Sequence, residues 1–447
     1  MSYQEKKLEP AQILVLGFGA VILLGAILLN LPIATVSGKS VGFINSLFTS
    51  TSAVCVTGLV VVDTGTYWSM FGQLIIMLLI QIGGLGIMTM ATLITFIAGR
   101  RISLRSRIIM SEALNHITIS GVVRLTKHVL VTTFLIESIG AMILSTKFIP
   151  IYGTKKGIFF AIFHSISAFC NAGFDLIGNG QSLTGFIGDP TINFTIMGLI
   201  IIGGLGFAVI TEIVSVRKFK KLSLHSKVVL SVTGILILSG FIIFFLIESF
   251  NSGTLGELTL KEKFFGALFQ SVTTRTAGFN TMDLGSMNQS SKFITIVYMF
   301  IGGSPGSTAG GIKTTTFALV ILTIISVIRG RDDVEFFKRR INRNNINRAL
   351  AVLSIGLAIV IFITTILCIT EVGKDFLDLL FESASAFGTV GLSLGITSEL
   401  SLIGKIIISM TMFAGRVGPM TIVFALSRKQ KSTHALIRYP EDRVMVG

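Results

Sequence analysis

Long apolar runs alternate with short polar, mostly basic strings along this chain. A helix needs about 20 apolar residues to cross roughly 30 Å of hydrocarbon. Eight spans are predicted on that rule, at 10–31, 70–98, 128–148, 191–211, 228–247, 293–328, 349–370 and 402–426. The sixth contains Lys313 and the eighth Arg416, so both are unusual. Four further apolar segments, 42–54, 157–169, 264–274 and 376–387, are too short to cross. At 1.5 Å per residue they reach only ~16–20 Å. Each lies between an odd span and the next even one.

The short segments end in related strings: S-A-V-C-V-T-G-L (52–59), S-A-F-C-N-A-G-F (167–174), V-T-T-R-T-A-G-F (272–279) and S-A-F-G-T-V-G-L (385–392). The position common to all four is a glycine: Gly58, Gly173, Gly278 and Gly391. A second glycine-rich string follows each, G-G-L-G at 83–86 and 203–206, G-G-S-P-G at 302–306 and G-R-V-G-P at 415–419. A third echo pairs 102–107 with 222–227. Phased matches of this kind mark an internal repeat. The expected repeats are 10–98, 128–216, 228–328 and 349–427, separated by linkers 99–127, 217–227 and 329–348 and followed by a tail, 428–447. Each unit is span, half-helix, glycine loop, span. Two spans per unit give every repeat the same orientation, unlike the inverted repeats of many secondary transporters. The expected fold is therefore an all-α polytopic membrane protein. Four parallel span–pore-helix–span repeats would surround a pseudo-fourfold pore, with eight transmembrane helices plus four half-helices.

Composition agrees. Of 447 residues, 51% are hydrophobic and only 13% charged, about half the charge density of a soluble domain. That excludes disorder, a coiled coil and an ordinary cytosolic enzyme. The net charge of +15 would suggest nucleic acid in a soluble chain. Here 25 of the 37 Lys and Arg fall in the three inner linkers and the two tails. The positive-inside rule then places both termini in the cytoplasm and leaves no reason to expect nucleic-acid binding. Three scattered cysteines and five scattered histidines indicate neither disulfides nor a zinc site. The first apolar run has no cleavage site at signal-peptide distance and is read as a retained span.

Non-helical backbone at membrane depth must be buried in protein or line water. Four re-entrant loops meeting on an axis satisfy that condition. Each half-helix would point its partly negative C-terminus at the centre. Loop carbonyls could then replace the hydration shell of a cation. A glycine permits the positive φ that turns carbonyls inward. No acid stands at the glycines, so carbonyls rather than a charged ring would select, which suits an alkali cation better than a divalent one.

At this point the chain resembles the Trk/Ktr/HKT superfamily of potassium transporters, and within it the Ktr-type membrane subunit (KtrB/KtrD-like). The strings S-A-V-C-V-T-G-L, T-R-T-A-G-F-N and G-G-S-P-G-S-T-A-G-G-I-K-T carry the resemblance, which covers nearly the whole chain. It implies one selectivity-filter glycine per repeat, hence a K+-binding filter of Val56, Thr57, Gly58, Asn171, Ala172, Gly173, Thr276, Ala277, Gly278, Thr389, Val390 and Gly391. Gly58 rather than Ser at the first position resembles the potassium-selective class. The resemblance also implies a gate: an intramembrane loop, 302–316, with Gly302, Gly303, Ser304, Pro305, Gly306, Ser307, Thr308, Ala309, Gly310, Gly311 and Lys313, together with Arg416. It further implies potassium uptake across the plasma membrane, sodium stimulation, a homodimer, and a cytosolic RCK/KTN regulatory ring (KtrA/KtrC-like) that carries ATP or ADP. No cofactor, and no metal beyond K+ at the filter carbonyls, is expected on this chain.

Several residues admit other readings. The run 306–314 looks like a Walker A loop, but Ile312 separates Gly311 from Lys313 and spoils its register. Arg416 is either a structural donor to helix carbonyls or a functional residue that holds the gating loop or provides a positive barrier to cations. Arg275, three residues before Gly278, reads as a buried brace. Cys55 and Cys170 occupy equivalent positions and read as small buried residues rather than a metal pair. Glu137 and Glu248 could attract cations or pair with an arginine. A proton-coupled symporter would want a chain of intramembrane carboxylates, and only Glu137 lies at depth. An intramembrane enzyme would need a nucleophile and base, for which His164 beside Ser165 is the faint candidate.

Overall fold

The computed structural model describes residues 10–86, 89, 122–418 and 421. The expected end of the second span (87–98), most of the linker 99–127 with the string 102–107, the close of the eighth span (419–426) and the tail 428–447 lie outside the described residues, apart from Thr89 and Thr421.

Long, short and interrupted helices alternate in four rounds. The first round is α1 (Pro10–Leu29), α2 (Phe43–Cys55) and α3 (Met70–Leu85). The second is α4 (Val122–Tyr152), α5 (Thr154–Phe169), α6 (Pro190–Leu205) and α7 (Phe207–Val216). The third is α8 (Leu224–Glu248), α9 (Leu260–Thr273), α10 (Gln289–Phe300) and α11 (Thr314–Ile328). A hairpin of β1 (Glu335–Phe336) and β2 (Arg339–Arg340) leads to α12 (Arg343–Thr370), α13 (Phe376–Gly388) and α14 (Leu402–Val417). The long helices α1, α4, α8 and α12 each contain a stretch long and apolar enough to cross a membrane. Their large outward residues, such as Leu24, Leu135, Ile242 and Phe362, are exposed as a lipid-facing surface would be.

The expected continuous second spans are a point of correction. The sequence predicts a break in the third unit alone, and the structure ends a helix at the second glycine string in every unit. Gly86, Gly206 and Gly418 take φ of 83°, 93° and 90° with ψ of 141°, 136° and 136°. That region is open to glycine and nearly closed to side chains. After Gly206 the chain leaves as α7 at 99° to α6. The third unit replaces the kink with a loop between α10 and α11. Its expected end at 316 is also corrected, because Lys313 is the N-cap of α11 and residues 314–316 are helical.

The first glycine of the string has a different task. A Cβ on Gly83, Gly203 or Gly415 would collide with Val54 O, Phe169 O or Phe387 O respectively. Each glycine lets its helix approach the carbonyl end of a short helix. The units also close on one another in order: α3 packs on α5, α6 on α9, α10 on α13, and α14 returns to α2.

Within units, one contact recurs three times. Ser50, Ser165 and Ser271 on the short helices donate to Ile22 O, Glu137 O and Ile237 O of the long helices, each at 2.7 Å. Three residues further along, Gly25, Gly140 and Gly240 leave room for those hydroxyls. Small residues that admit close backbone approach are how helices associate without a hydrophobic driving force. In the fourth unit Ser383 instead bonds within its own helix, to Leu379 O.

A graded test follows. Gly140→Val would drive its side chain into Ser165 Oγ and Leu199, whereas a Cβ at Gly234 meets nothing within 4 Å. Overpacking costs about 1–3 kcal/mol. Thermal unfolding of the purified protein should show a clear loss for Gly140→Val and almost none for Gly234→Val; equal losses would disprove the contact.

Candidate functional site

Each short helix gives way to a left-handed residue two positions before a glycine: Val56, Asn171, Thr276 and Thr389, with φ of 56°, 59°, 65° and 50°. Left-handed residues other than glycine are uncommon, so four at one equivalent position reflect a demand of the turn. The glycines are also at positive φ: 96° at Gly58, 68° at Gly173, 80° at Gly278 and 89° at Gly391.

These four glycines meet in a cycle. A Cβ on Gly58 would lie 2.5 Å from Ala172 O, one on Gly173 2.8 Å from Ala277 O, and one on Gly278 2.7 Å from Val390 O. A Cβ on Gly391 would strike Thr57 O. Eight of the twelve residues expected at this position, the four glycines with Thr57, Ala172, Ala277 and Val390, are therefore in one ring; Val56, Asn171, Thr276 and Thr389 directly precede it. Hydrogen bonds behind the ring fix its peptides. Ser52 Oγ accepts from Gly58 N at 3.0 Å, and Ser385 Oγ accepts from Gly391 N at 3.1 Å. In a planar trans peptide the carbonyl opposes the N–H, so these ties direct Thr57 O and Val390 O away from the helices. Ser167 and Thr273 donate instead to the carbonyls of Phe174 and Phe279.

On one side the ring opens into a cavity of about 380 Å³ whose lining includes all four glycines and Asp63, Asp175 and Asp283. Among the described residues no basic side chain lines it. Asp63 is fixed by Thr66 N at 2.8 Å and by Gly180 N of the second unit at 2.9 Å. Burial, reinforced by the charge on Asp63, pushes the Asp175 carboxyl up to about 6. Sequence reasoning missed these aspartates because it looked for charge only at the glycines. The available signal was spacing: Asp63 and Asp283 each stand five residues after a ring glycine.

The loop between α10 and α11 lies against the carbonyl ends of the short helices. Gly302 N donates to Ile312 O at 2.8 Å and Thr314 N to Gly303 O at 3.0 Å, closing its neck. Ser304 N and Thr308 N reach Gly204 O and Gly203 O. Thr308 Oγ1 donates to Phe169 O at 3.1 Å, and a Cβ on Gly310 would strike the Thr389 side chain. Arg416 donates to Thr308 O, Gly83 O and Gly84 O, so it joins the loop to the first and fourth units. Lys313 Nζ turns back to Ala309 O at 2.7 Å. The residues expected to act as a gate are thus in contact with one another and with the ring.

The ambiguous residues resolve by their partners. Arg275 is buried, with Nη2 3.3 Å from Thr233 Oγ1 on α8. Glu248 clamps the start of α10, accepting from Asn288 N at 3.1 Å, and Glu371 does the same for α14 through Ser401 N at 3.0 Å. His164 Nδ1 lies 2.7 Å from Phe160 O, and its Nε2 accepts from Leu176 N at 3.3 Å. Both ring nitrogens are therefore occupied by backbone, and neither is available as a base for Ser165. Among the described residues no cluster of three or more His, Cys, Asp or Glu could hold a metal ion.

Comparison with known proteins agrees with this architecture. The cation transport protein family, TrkH, matches residues 7–435. The chain is 46% identical to the Ktr system potassium uptake protein B of Bacillus subtilis over 441 residues, covering 99% of this chain and 97% of that one. It is 44% identical to the potassium/sodium uptake protein NtpJ of Enterococcus hirae, covering 99% and 98%. Its fold is similar to the crystal structure of the potassium transporter TrkH from Vibrio parahaemolyticus, with a TM-score of 0.74 at 18% identity, covering 95% of this chain and 86% of that one. These relatives are cation transporters rather than enzymes. The chain is a membrane protein that belongs to the TrkH family of cation transport proteins.

Proposed function

We propose that this chain is the ion-translocating subunit of a potassium uptake system of the Ktr type. The observation that carries the reading is the closed cycle of four glycines and four neighbouring carbonyls at the floor of an acidic mouth. The four units act as parallel repeats around one pore. Potassium sheds water at the mouth, is received by the carbonyls of Thr57, Ala172, Ala277 and Val390, and passes toward the loop. Three aspartates raise the local cation concentration before that step. The membrane potential supplies ~2.3 kcal/mol per 100 mV for each charge moved inward.

The loop at 302–313, held by Arg416, is the gate on this reading. A guanidinium near the path opposes a cation. At an effective dielectric of 20, like charges 4 Å apart repel by ~4 kcal/mol. The basic inner linkers suit a cytosolic nucleotide-binding ring that carries ATP or ADP and releases the gate. A homodimer in the plasma membrane, both termini in the cytoplasm, and sodium stimulation complete the proposal. Potassium uptake by transport-deficient cells, with and without the ring, tests it; no uptake in either case would reject it.

Three outcomes are expected. Gly58→Ser, or Ser at Gly173, Gly278 or Gly391, should reduce the potassium/sodium preference at least several-fold, since each added Cβ meets a ring carbonyl. Preference unchanged in all four variants would show that the ring is not the filter.

Shortening the loop within Gly303–Gly311 should raise cation flux and lessen its dependence on the ring, and Arg416→Ser should loosen the same closure. Well-folded loop deletions with wild-type flux and ring dependence would remove the loop as gate.

Asp175 is charged above pH about 6 and neutral below. The apparent potassium affinity should therefore weaken as external pH falls through about 6, and Asp175→Asn should show the weakened affinity at every pH. An identical pH profile in wild type and Asp175→Asn would exclude Asp175 as the origin.

A further inference from the structure

Glu137 is a carboxylate on a long membrane helix that the proposed transport path leaves unused. It lies in the middle of α4, only 5% exposed. Its Oε2 accepts from Gln81 Nε2 of α3 at 3.1 Å. Its Oε1 lies 3.8 Å from Cys170 Sγ, and that sulfur lies 3.8 Å from Gln81 Oε1. Gln81 and Cys170 are themselves buried. Three polar side chains from α3, α4 and the end of α5 thus form a closed triangle. Cys170 directly precedes Asn171, the left-handed residue of the second unit, and stands three residues before Gly173.

Counting protons decides the state of the triangle. An ionised carboxylate only accepts hydrogen bonds, and a thiol donates one. With Glu137 ionised, the single thiol proton faces two acceptors, Gln81 Oε1 and the carboxylate, and one of them goes unserved. With Glu137 carrying a proton, the ring closes. Gln81 N–H donates to the Glu137 carbonyl oxygen, the Glu137 O–H donates to Cys170 sulfur, and the Cys170 S–H donates to Gln81 Oε1. Charge favours the same state. None of the ion pairs among the described residues involves Glu137. The charged group connected to this corner is Arg416, and its guanidinium is committed to Gly83 O, Gly84 O and Thr308 O. A buried ion without a partner costs several kcal/mol.

We propose that Glu137 sits in the membrane as an uncharged carboxylic acid. As such it is a positioning residue that, with Gln81 and Cys170, holds the end of the second short helix in register with Gly173. The assignment rests on the reading of the glycine ring as the selectivity filter. It also separates Glu137 from proton coupling, because the proton is a fixed part of a hydrogen-bond ring and not cargo. The backbone of Glu137 serves the same helix from the other side, accepting from Ser165 Oγ at 2.7 Å.

Glutamine is the electroneutral isostere of the acid: its amide donates to Cys170 and its carbonyl accepts from Gln81. In proteoliposomes, Glu137→Gln should keep uptake and potassium/sodium preference within about twofold of wild type, at external pH 6 and pH 8 alike. Glu137→Ala and Cys170→Ala should each lower that preference at least fivefold, since each removes two of the ring's three hydrogen bonds and one alone is worth roughly 1 kcal/mol. Variants are compared only as monodisperse protein, and Cys170→Ala serves if Glu137→Ala does not fold. Infrared difference spectra of wild type against Glu137→Gln at neutral pH should show a protonated carboxylic acid band in wild type alone. Absence of that band, or loss of uptake in Glu137→Gln, overturns the neutral acid. Unchanged preference in the folded alanine variants overturns the positioning role. Failure of the filter reading itself would appear separately, as an unchanged preference in all four Gly→Ser variants of the ring while the infrared band persists.

Discussion

No water reaches the hydrocarbon layer to satisfy a peptide group that leaves a helix, and the whole structure is organised around that constraint. Four short helices end inside the protein, and each exposes carbonyls there. Close packing within each unit and donors from a neighbouring one take the place of water there. Gly83, Gly203 and Gly415 bring a helix backbone against those ends, Thr308 donates to Phe169 O, and Arg416 donates to Gly83 O, Gly84 O and Thr308 O. Serines behind the glycine ring take up its amides. The carbonyls of Thr57 and Val390 are thereby left pointing away from the helices.

The four units share a plan but not a chemistry. The ring glycines, the left-handed turns and the serine contacts between long and short helices recur. Among the described residues a loop stands at the second glycine string of the third unit and a 99° kink at Gly206 of the second; Arg416 belongs to the fourth unit, and Glu137 and His164 to the second. Several side chains act on a neighbouring unit. Arg416 reaches the loop of the third unit, Glu137 meets Gln81 of the first, and Asp63 of the first holds Gly180 of the second. A single chain can make such assignments because its repeats are free to diverge, which identical subunits cannot do.

The long helices and the positions of the short helices were legible in the sequence, because each rests on local rules: apolar length, capping and glycine spacing. The short helix predicted at 376–387 runs Phe376–Gly388, and the first long helix predicted at 10–31 runs Pro10–Leu29. Hydropathy misjudged the second spans. Gly86, Gly206 and Gly418 sit in apolar surroundings, and a window average does not register a φ of 90°. The vestibule aspartates were missed for a related reason. They lie in loops whose meeting point depends on how four distant segments converge.

What the sequence determined by itself was therefore the inventory: four related strings with one glycine in each, a glycine-rich interruption, and two arginines within apolar stretches, Arg275 and Arg416. Each of these can be read along one stretch of chain. What only the tertiary structure decided was adjacency. That Thr57 O lies on Gly391, that Arg416 bonds Thr308, and that Gln81, Glu137 and Cys170 form one triangle are relations across tens to hundreds of residues. They follow from the cyclic packing of the units, in which α14 returns to α2, and no local propensity encodes that closure.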